Sequence, residues 1–214
     1  MHILFKKEIS NLPPAEKDKT FVVLGHGPVG KSCLINRFLN DTTNQDLSPT
    51  IYKSTTKTFV VDQKRMILGN SSFLWPSKEI TSSIEILDTS GDEEYIHLNK
   101  QGFILVYSID NRESFENIES LRNMVIKMKR NRRIPCILVG AKSDVDNREV
   151  SWQEGKELAD KYEMLFLEAS AVTGTNCNEV FKGLTRKVWK KEMEIKGNYS
   201  DRACSEKICA CEIF

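Results

Sequence analysis

The residues Gly25-His26-Gly27-Pro28-Val29-Gly30-Lys31-Ser32 follow the apolar run Phe21-Val22-Val23-Leu24 and carry the spacing G-x-x-x-x-G-K-S. That spacing suits phosphate chemistry. Glycines let the backbone wrap closely around phosphate oxygens with its N–H groups turned inward. Lys31 offers a point charge to terminal phosphates, and the Ser32 hydroxyl offers an oxygen ligand to Mg²⁺. A helix opening directly after the loop adds the positive end of its dipole. Nucleotide binding is the chemistry these types at this spacing point to.

A loop of this kind must be held between a strand and a helix, and the chain supplies both. Six apolar runs read as strands: Phe21–Gly25, Thr55–Asp62, Ile84–Asp88, Gly102–Ile109, Pro135–Gly140 and Met164–Glu168. Several are continuous rather than alternating, as strands covered on both faces are. Between them, Phe115, Ile118, Leu121, Val125 and Met128 recur at spacings of three and four, and Cys177, Val180, Phe181, Leu184 and Val188 do so later. Each set draws one apolar helical face. Ser151-Trp152-Gln153-Glu154 has the form of a capping box that opens a third helix. Alternating strands and helices predict an α/β fold with a mostly parallel six-stranded sheet and helices on both faces. Ligands of such sheets sit at the carboxyl ends of the strands, where the phosphate loop falls.

Two stretches lack this rhythm. Gln63–Ser83 separates two strands that could otherwise form a hairpin, and a connection of that length, with Gly69, Asn70, Ser71, Ser72 and Pro76, is functional, disordered or an insertion. From Lys190 onward the pattern dissolves into a charged tail. The organisation expected is therefore an N-terminal extension over 1–19, one domain over 20–190 with an insertion at about 63–83, and a tail over 191–214.

Composition narrows the class. The chain has 214 residues, 40% hydrophobic and 29% charged, as ordinary globular proteins do. A formal net charge of +1 gives no global attraction for nucleic acid, and none is expected as a partner. Met1–Lys19 is mixed and polar, unlike a secretory leader, and no apolar run approaches the length of a membrane span. Cys33, Cys136 and Cys177 fall in apolar segments and read as buried thiols. Cys204, Cys209 and Cys211 crowd near the end of the chain, where a disulfide framework is not expected.

Four more segments complete a constellation: Ser48-Pro49-Thr50-Ile51 after the first helix, Asp88-Thr89-Ser90-Gly91 ending the third strand, Ala141-Lys142-Ser143-Asp144 after the fifth, and Glu168-Ala169-Ser170-Ala171 after the sixth. With the phosphate loop, they stand in the order and approximate spacing of the Ras family of small GTPases, which the chain resembles from about Thr20 to Trp189. The resemblance implies a P-loop NTPase fold, GTP or GDP as the bound nucleotide, and Mg²⁺. It implies that Gly25 to Ser32 cradle the phosphates, with Lys31 on the β- and γ-phosphates. Ser32, Thr50 and Asp88 would hold the metal, and the Gly91 N–H would sense the γ-phosphate. Thr50, Gly91 and Asp92 would stand nearest the reacting phosphate. Leu47-Ser48-Pro49-Thr50-Ile51-Tyr52-Lys53-Ser54-Thr55 would form the effector region and Thr89–Tyr95 the second switch, segments that the γ-phosphate orders and hydrolysis releases.

Asp144 would choose guanine, since a carboxylate accepts two hydrogen bonds from N1–H and the exocyclic amine, a donor pair adenine lacks. Lys142 would pack its stem over the ring. Ser170 and Ala171 would close the base site, the Ala171 N–H meeting the guanine oxygen.

The chain departs from the family at points that bear on rate. Asp92 stands where a glutamine usually orients the attacking water; an ionised carboxylate is shorter and repels the γ-phosphate. Pro28 has no N–H to donate toward the bridging oxygen. Both predict slow hydrolysis. Ala141 replaces an asparagine that ties the base loop to the phosphate loop, and Thr43 falls where an aromatic usually covers the base, so release is expected to be fast. The stretch from Tyr95 to Gly102 is about six residues shorter than the family pattern, which leaves little room for a helix.

The ending Cys211-Glu212-Ile213-Phe214 reads as a C-a-a-X box whose Phe favours geranylgeranylation of Cys211. One lipid gives only reversible attachment, so a palmitoyl group on Cys209 or basic residues of the tail would supply a second signal. The expectation is a monomeric, lipid-anchored switch on the cytoplasmic face of a membrane, the plasma membrane first, working with effectors, an exchange factor and a GTPase-activating protein. Two other readings stay open: a pseudo-GTPase that binds partners without cycling, and an unrelated P-loop ATPase or kinase.

Overall fold

The computed structural model describes the backbone of residues 19–41, 52–61, 67–68, 71–72, 80–89, 100–130 and 133–209. In chain order its elements are β1 (Lys19–Leu24), α1 (Lys31–Asn40), β2 (Tyr52–Val61), β3 (Ile67–Leu68), β4 (Ser71–Ser72), β5 (Ile80–Thr89), β6 (Gly102–Ser108), α2 (Arg112–Glu116), α3 (Ile118–Lys129), β7 (Cys136–Ala141), α4 (Trp152–Lys161), β8 (Leu165–Ala169) and α5 (Cys177–Cys209). Six strands form one sheet in the order β2-β5-β1-β6-β7-β8. Every neighbouring pair is parallel except β2 with β5, which runs antiparallel from Tyr52 opposite Thr89 to Val61 opposite Ile80.

Strand alternation sorts the core onto two faces. On one, Phe21, Val23, Ile86, Ile104, Val106 and Val139 pack under α1 and α5, which contribute Leu34, Phe38, Phe181 and Leu184. On the other, Val22, Leu24, Leu87, Leu105, Tyr107 and Leu138 meet Ile118, Leu121, Val125 and Ala159 of α3 and α4. Residues on both faces of β1 and β6 are fully buried, which is why these strands read as unbroken apolar runs. Each large side chain so buried contributes about 1.5–3 kcal/mol of transfer free energy. Phe38 centres the first face, stacked on Phe181 with ring centroids 4.0 Å apart and edge-on to Phe59 at 5.3 Å.

Sequence and structure differ in five places. Strand β2 starts at Tyr52, not Thr55, because Tyr52, Lys53 and Ser54 pair with the end of β5. Strand β5 starts at Ile80, not Ile84, because pairing with β2 carries the polar residues Thr81, Ser82 and Ser83 into the ladder. The connection is therefore shorter than Gln63–Ser83 and holds the two-residue pair β3–β4. The apolar face from Phe115 to Met128 is shared by two helices with Asn117 between them, its N–H bonded to the Glu113 carbonyl at 3.1 Å. Cys33 is half-buried, while Cys136 and Cys177 are buried as expected. Finally, α5 runs unbroken to Cys209, through residues expected to form an irregular tail. Its packed face ends at Val188; Lys190 to Lys196 are mostly strong helix formers, whereas Gly197-Asn198-Tyr199-Ser200-Asp201 are weak ones.

Candidate nucleotide-binding site

The phosphate loop leaves β1 at Gly25 and enters α1 at Lys31. Gly25 allows the turn: a Cβ there would lie 2.4 Å from the Val106 carbonyl oxygen and 2.8 Å from Val29 Cγ2. Gly27 and Gly30 take left-handed φ values of 71° and 92°, where L side chains are strained. Val29 is buried and its N–H bonds to the Gly27 carbonyl at 2.9 Å, so the valine plugs the loop from beneath while His26, Gly27 and Pro28 stay exposed. Helix α1 is capped by Gly30 with no side-chain hydrogen bond and carries no acidic residue in its first turn. Its positive end is thus not neutralised by its own sequence.

Lys31 is 8% exposed, and its Nζ donates to the carbonyls of Gly25 at 2.7 Å and Gly27 at 3.1 Å. The side chain therefore folds back over the loop it follows. Burial holds its pKa below the usual lysine value, opposed by the charge of Asp88. Asp88, 4% exposed, sits near the end of β5 with Val23 beside it on β1 and Lys53 opposite it on β2. The half-buried Ser32 follows Lys31 on α1. A carboxylate and a hydroxyl beside a buried ammonium form a hard-oxygen donor set that fits Mg²⁺ bound with a polyphosphate.

The second group of predicted residues gathers at the ends of β7 and β8. Ala141 closes β7, and its methyl lies 3.9 Å from where a Cβ on Gly30 would stand, so the phosphate loop and this end of the sheet are neighbours. Lys142 takes φ 63°, and its carbonyl accepts the Val145 N–H at 3.1 Å, a turn that leaves Asp144 exposed. Ser143 N–H bonds to the Ala169 carbonyl at 3.1 Å, tying this turn to β8. Ser170 is fully buried; its Oγ accepts the Thr173 N–H at 3.0 Å, and its carbonyl accepts the Gly174 N–H at 2.9 Å. At Gly174, with φ 81°, a Cβ would meet the Arg37 guanidinium of α1 at 2.7 Å. The loop of Ser170 and Ala171 is thereby braced against the helix that follows the phosphate loop.

Two partners of these loops were not singled out from the sequence. Asp110, just past β6, accepts from Lys142 Nζ at 3.1 and 3.2 Å and from the Ser108 hydroxyl. Although burial opposes ionisation, these bonds hold the Asp110 carboxyl below the usual aspartate pKa. Arg148 forks onto Glu168 at 2.6 and 3.0 Å, clasping the loop after Asp144 to β8. A carboxylate two residues beyond a buried strand, as in Ser108-Ile109-Asp110, is the signal that would have marked Asp110.

Of the effector region, Tyr52-Lys53-Ser54-Thr55 begins β2, an edge strand on which Lys53 and Ser54 are exposed. Glu85 of β5 accepts from Ser54 Oγ at 2.6 Å and Thr20 Oγ1 at 2.9 Å, joining three adjacent strands. Leu47, Ser48, Pro49, Thr50, Ile51, Thr43, Gly91, Asp92 and Cys211 lie outside the described residues, as do positions 90–99; for Cys209 the backbone alone is described. Among the described residues no helix is long and apolar enough to cross a membrane.

A glycine loop between the first strand and first helix, a buried Lys31 over it and Asp88 on the adjoining strand define a phosphate-loop nucleotide-binding protein of the doubly wound α/β class. Residues 20–190 match the family model described as Ras family, and the chain belongs to that family. It is thus a small GTP-binding switch by class; the family as a whole binds GTP and GDP, typically with Mg²⁺, has GTPase activity and works through regulators and effectors.

Proposed function

We propose that this protein is a lipid-anchored, Ras-type signalling switch that binds GTP tightly enough to adopt its active state but hydrolyses it slowly. The observation that carries the phosphate half of this reading is the pairing of buried Lys31 with the Gly25 and Gly27 carbonyls beside Asp88.

The roles follow from chemistry. The backbone of Gly25 to Ser32 receives the phosphates, and Lys31 neutralises the terminal ones. Ser32, Thr50 and Asp88 would hold Mg²⁺, which supplies charge stabilisation on the phosphate oxygens. Asp144 accepts the guanine donors, Lys142 covers the ring while Asp110 anchors its ammonium, and Ser170 and Ala171 close the base pocket. Gly91 and Thr50 respond to the γ-phosphate, and Leu47–Thr55 presents the result to an effector.

Asp92 gives the reading its particular character. Placed near the γ-phosphate, a carboxylate repels the charge that develops in the transition state and donates nothing to the attacking water. Pro28 removes one oriented N–H donor from the loop. Ala141 offers a methyl to Gly30 where an amide side chain would tie the two loops. Slow hydrolysis with fast release leaves such a switch mostly GTP-loaded where GTP exceeds GDP.

Single-turnover hydrolysis by GTP-loaded full-length protein tests this. Asp92→Gln is expected to speed the step by roughly tenfold or more; a variant no faster than the parent would overturn the assignment. Anchoring is tested separately by the mass of the C-terminal peptide from cells. The expected result is a geranylgeranyl group on Cys211, and an unmodified peptide ending in Phe214 would contradict it.

A further inference from the structure

The phosphate loop lies at the carboxyl ends of the strands. At the opposite end, where β6 and β7 begin, a cleft of about 220 Å³ opens between the end of α3 and the outer part of α5. Lys100, Lys129 and Lys191 line it from three separate segments, with Ile134 and Ile195 among its apolar walls. Glu192 also lines it, but its carboxylate is bound to Lys19 at 2.6 Å.

Three of the chain's 31 Lys and Arg residues line this one cleft, against a single carboxylate. In sequence, Lys127 to Arg133 holds five cations in seven residues, directly before the cleft-lining Ile134. Lys191 Nζ donates to the Arg133 carbonyl at 2.6 Å, and Lys129 Nζ lies 5.8 Å from the centre of the Phe103 ring, so both ammoniums are held at the wall. Burial lowers the pKa of Lys129 and of Lys191, and the Lys100 charge lowers that of Lys129 further. An anion entering the cleft relieves that repulsion.

We propose that this cleft is a second anion site, separate from the nucleotide site, which takes a phosphomonoester on a small polyol scaffold. A phosphomonoester carries close to two negative charges at neutral pH, which suits several lysine point charges better than a single carboxylate would. The walls of Ile134, Pro135 and Ile195 give scaffold hydroxyls no partner, so the scaffold is held through its phosphate and a C–H face of its ring, with its hydroxyls turned to water. The cleft is small and none of its lining residues is aromatic, so it lacks the stacking platforms that single-stranded nucleic acid uses. Two sources present this chemistry, a soluble phosphorylated polyol and the headgroup of a phosphorylated inositol lipid.

The test uses the full chain loaded with GDP and Mg²⁺, so that the phosphate loop is filled. Inositol 1,4,5-trisphosphate and inorganic phosphate are titrated calorimetrically at physiological salt. Phosphatidylcholine vesicles with and without phosphatidylinositol 4,5-bisphosphate form a second arm. The trisphosphate is expected to bind more tightly than phosphate. The combined variant Lys100→Gln, Lys129→Gln, Lys191→Gln is expected to lose about tenfold or more of that affinity, while GDP binding and melting temperature stay near the parent's. The corresponding three Lys→Arg changes keep the charge and are expected to keep binding. Vesicle binding that soluble trisphosphate competes away identifies the lipid as the source; soluble binding alone identifies a free ester. Lys31→Met, which weakens nucleotide binding, should leave anion binding intact, so failure of the nucleotide reading would be seen separately. The proposal is overturned if the parent binds neither probe, or if the glutamine variant binds as the parent does.

Discussion

Lys31 and Gly25 close the phosphate loop on itself: the lysine Nζ donates to the glycine carbonyl at 2.7 Å, beneath the loop's exposed residues. A buried ammonium is unfavourable unless anionic or dipolar groups surround it. Here two carbonyls accept from it, and the charge of Asp88 opposes the lowering of its pKa by burial.

Lys31→Met keeps the stem and deletes the charge. Loss of a charge-assisted contact to phosphate is expected to weaken GDP and GTP binding by roughly 10- to 100-fold. Equilibrium titration with a fluorescent nucleotide checks this. Unchanged affinity would remove Lys31 from the site.

Gly25→Ala acts through packing. The new Cβ would meet the Val106 carbonyl oxygen at 2.4 Å, and backbone of a central strand cannot swing aside. Overpacking of this kind costs about 1–3 kcal/mol, so the melting temperature should fall by several degrees, with weakened nucleotide binding. Gly27→Ala, with nothing within 4 Å of its Cβ, carries only the strain of its positive φ and should be the milder change.

Ala141→Asn tests the link between the two halves of the site. The Ala141 methyl faces Gly30, so an amide placed there can reach the phosphate loop. One added hydrogen bond is expected to slow nucleotide dissociation by roughly 3- to 10-fold in a stopped-flow chase.

Helix α4 gives a pH dependence. Ser151 and Glu154 form the capping box, and Arg112 bonds Glu154 at 2.6 Å. The Arg112 hydrogen bond first, then those from Ser151, hold the Glu154 pKa at about 2, against an ordinary 4.5. A carboxyl whose folded pKa lies below its unfolded value binds fewer protons in the native state. Its contribution is complete above about 4.5 and disappears as pH falls toward 2. Glu154→Gln should therefore melt below the parent at pH 7, and the gap should narrow through that acidic window.

Much of this was readable in advance because the signals are local. The phosphate loop depends on the spacing of three residue types within eight positions, and the central strands are buried on both faces, so their apolar runs are continuous. What escaped the sequence is set by tertiary context. Thr81, Ser82 and Ser83 form no apolar run and enter the ladder because β2 runs alongside. The Lys142–Asp110 bridge joins residues 32 apart and exists because Ser108 and Ala141 are opposite one another in β6 and β7. The outer part of α5 has no apolar face to give it a period.

The central claim is that Lys31 and Asp144 belong to one guanine-nucleotide site, and competition between GTP and ATP for the Mg²⁺-loaded full chain tests it most directly. GTP and GDP should displace fluorescent GDP at stoichiometric to low excess, ATP should fail at a roughly hundredfold excess, and Asp144→Ala should erase the distinction. Equal displacement by ATP and GTP would contradict the account.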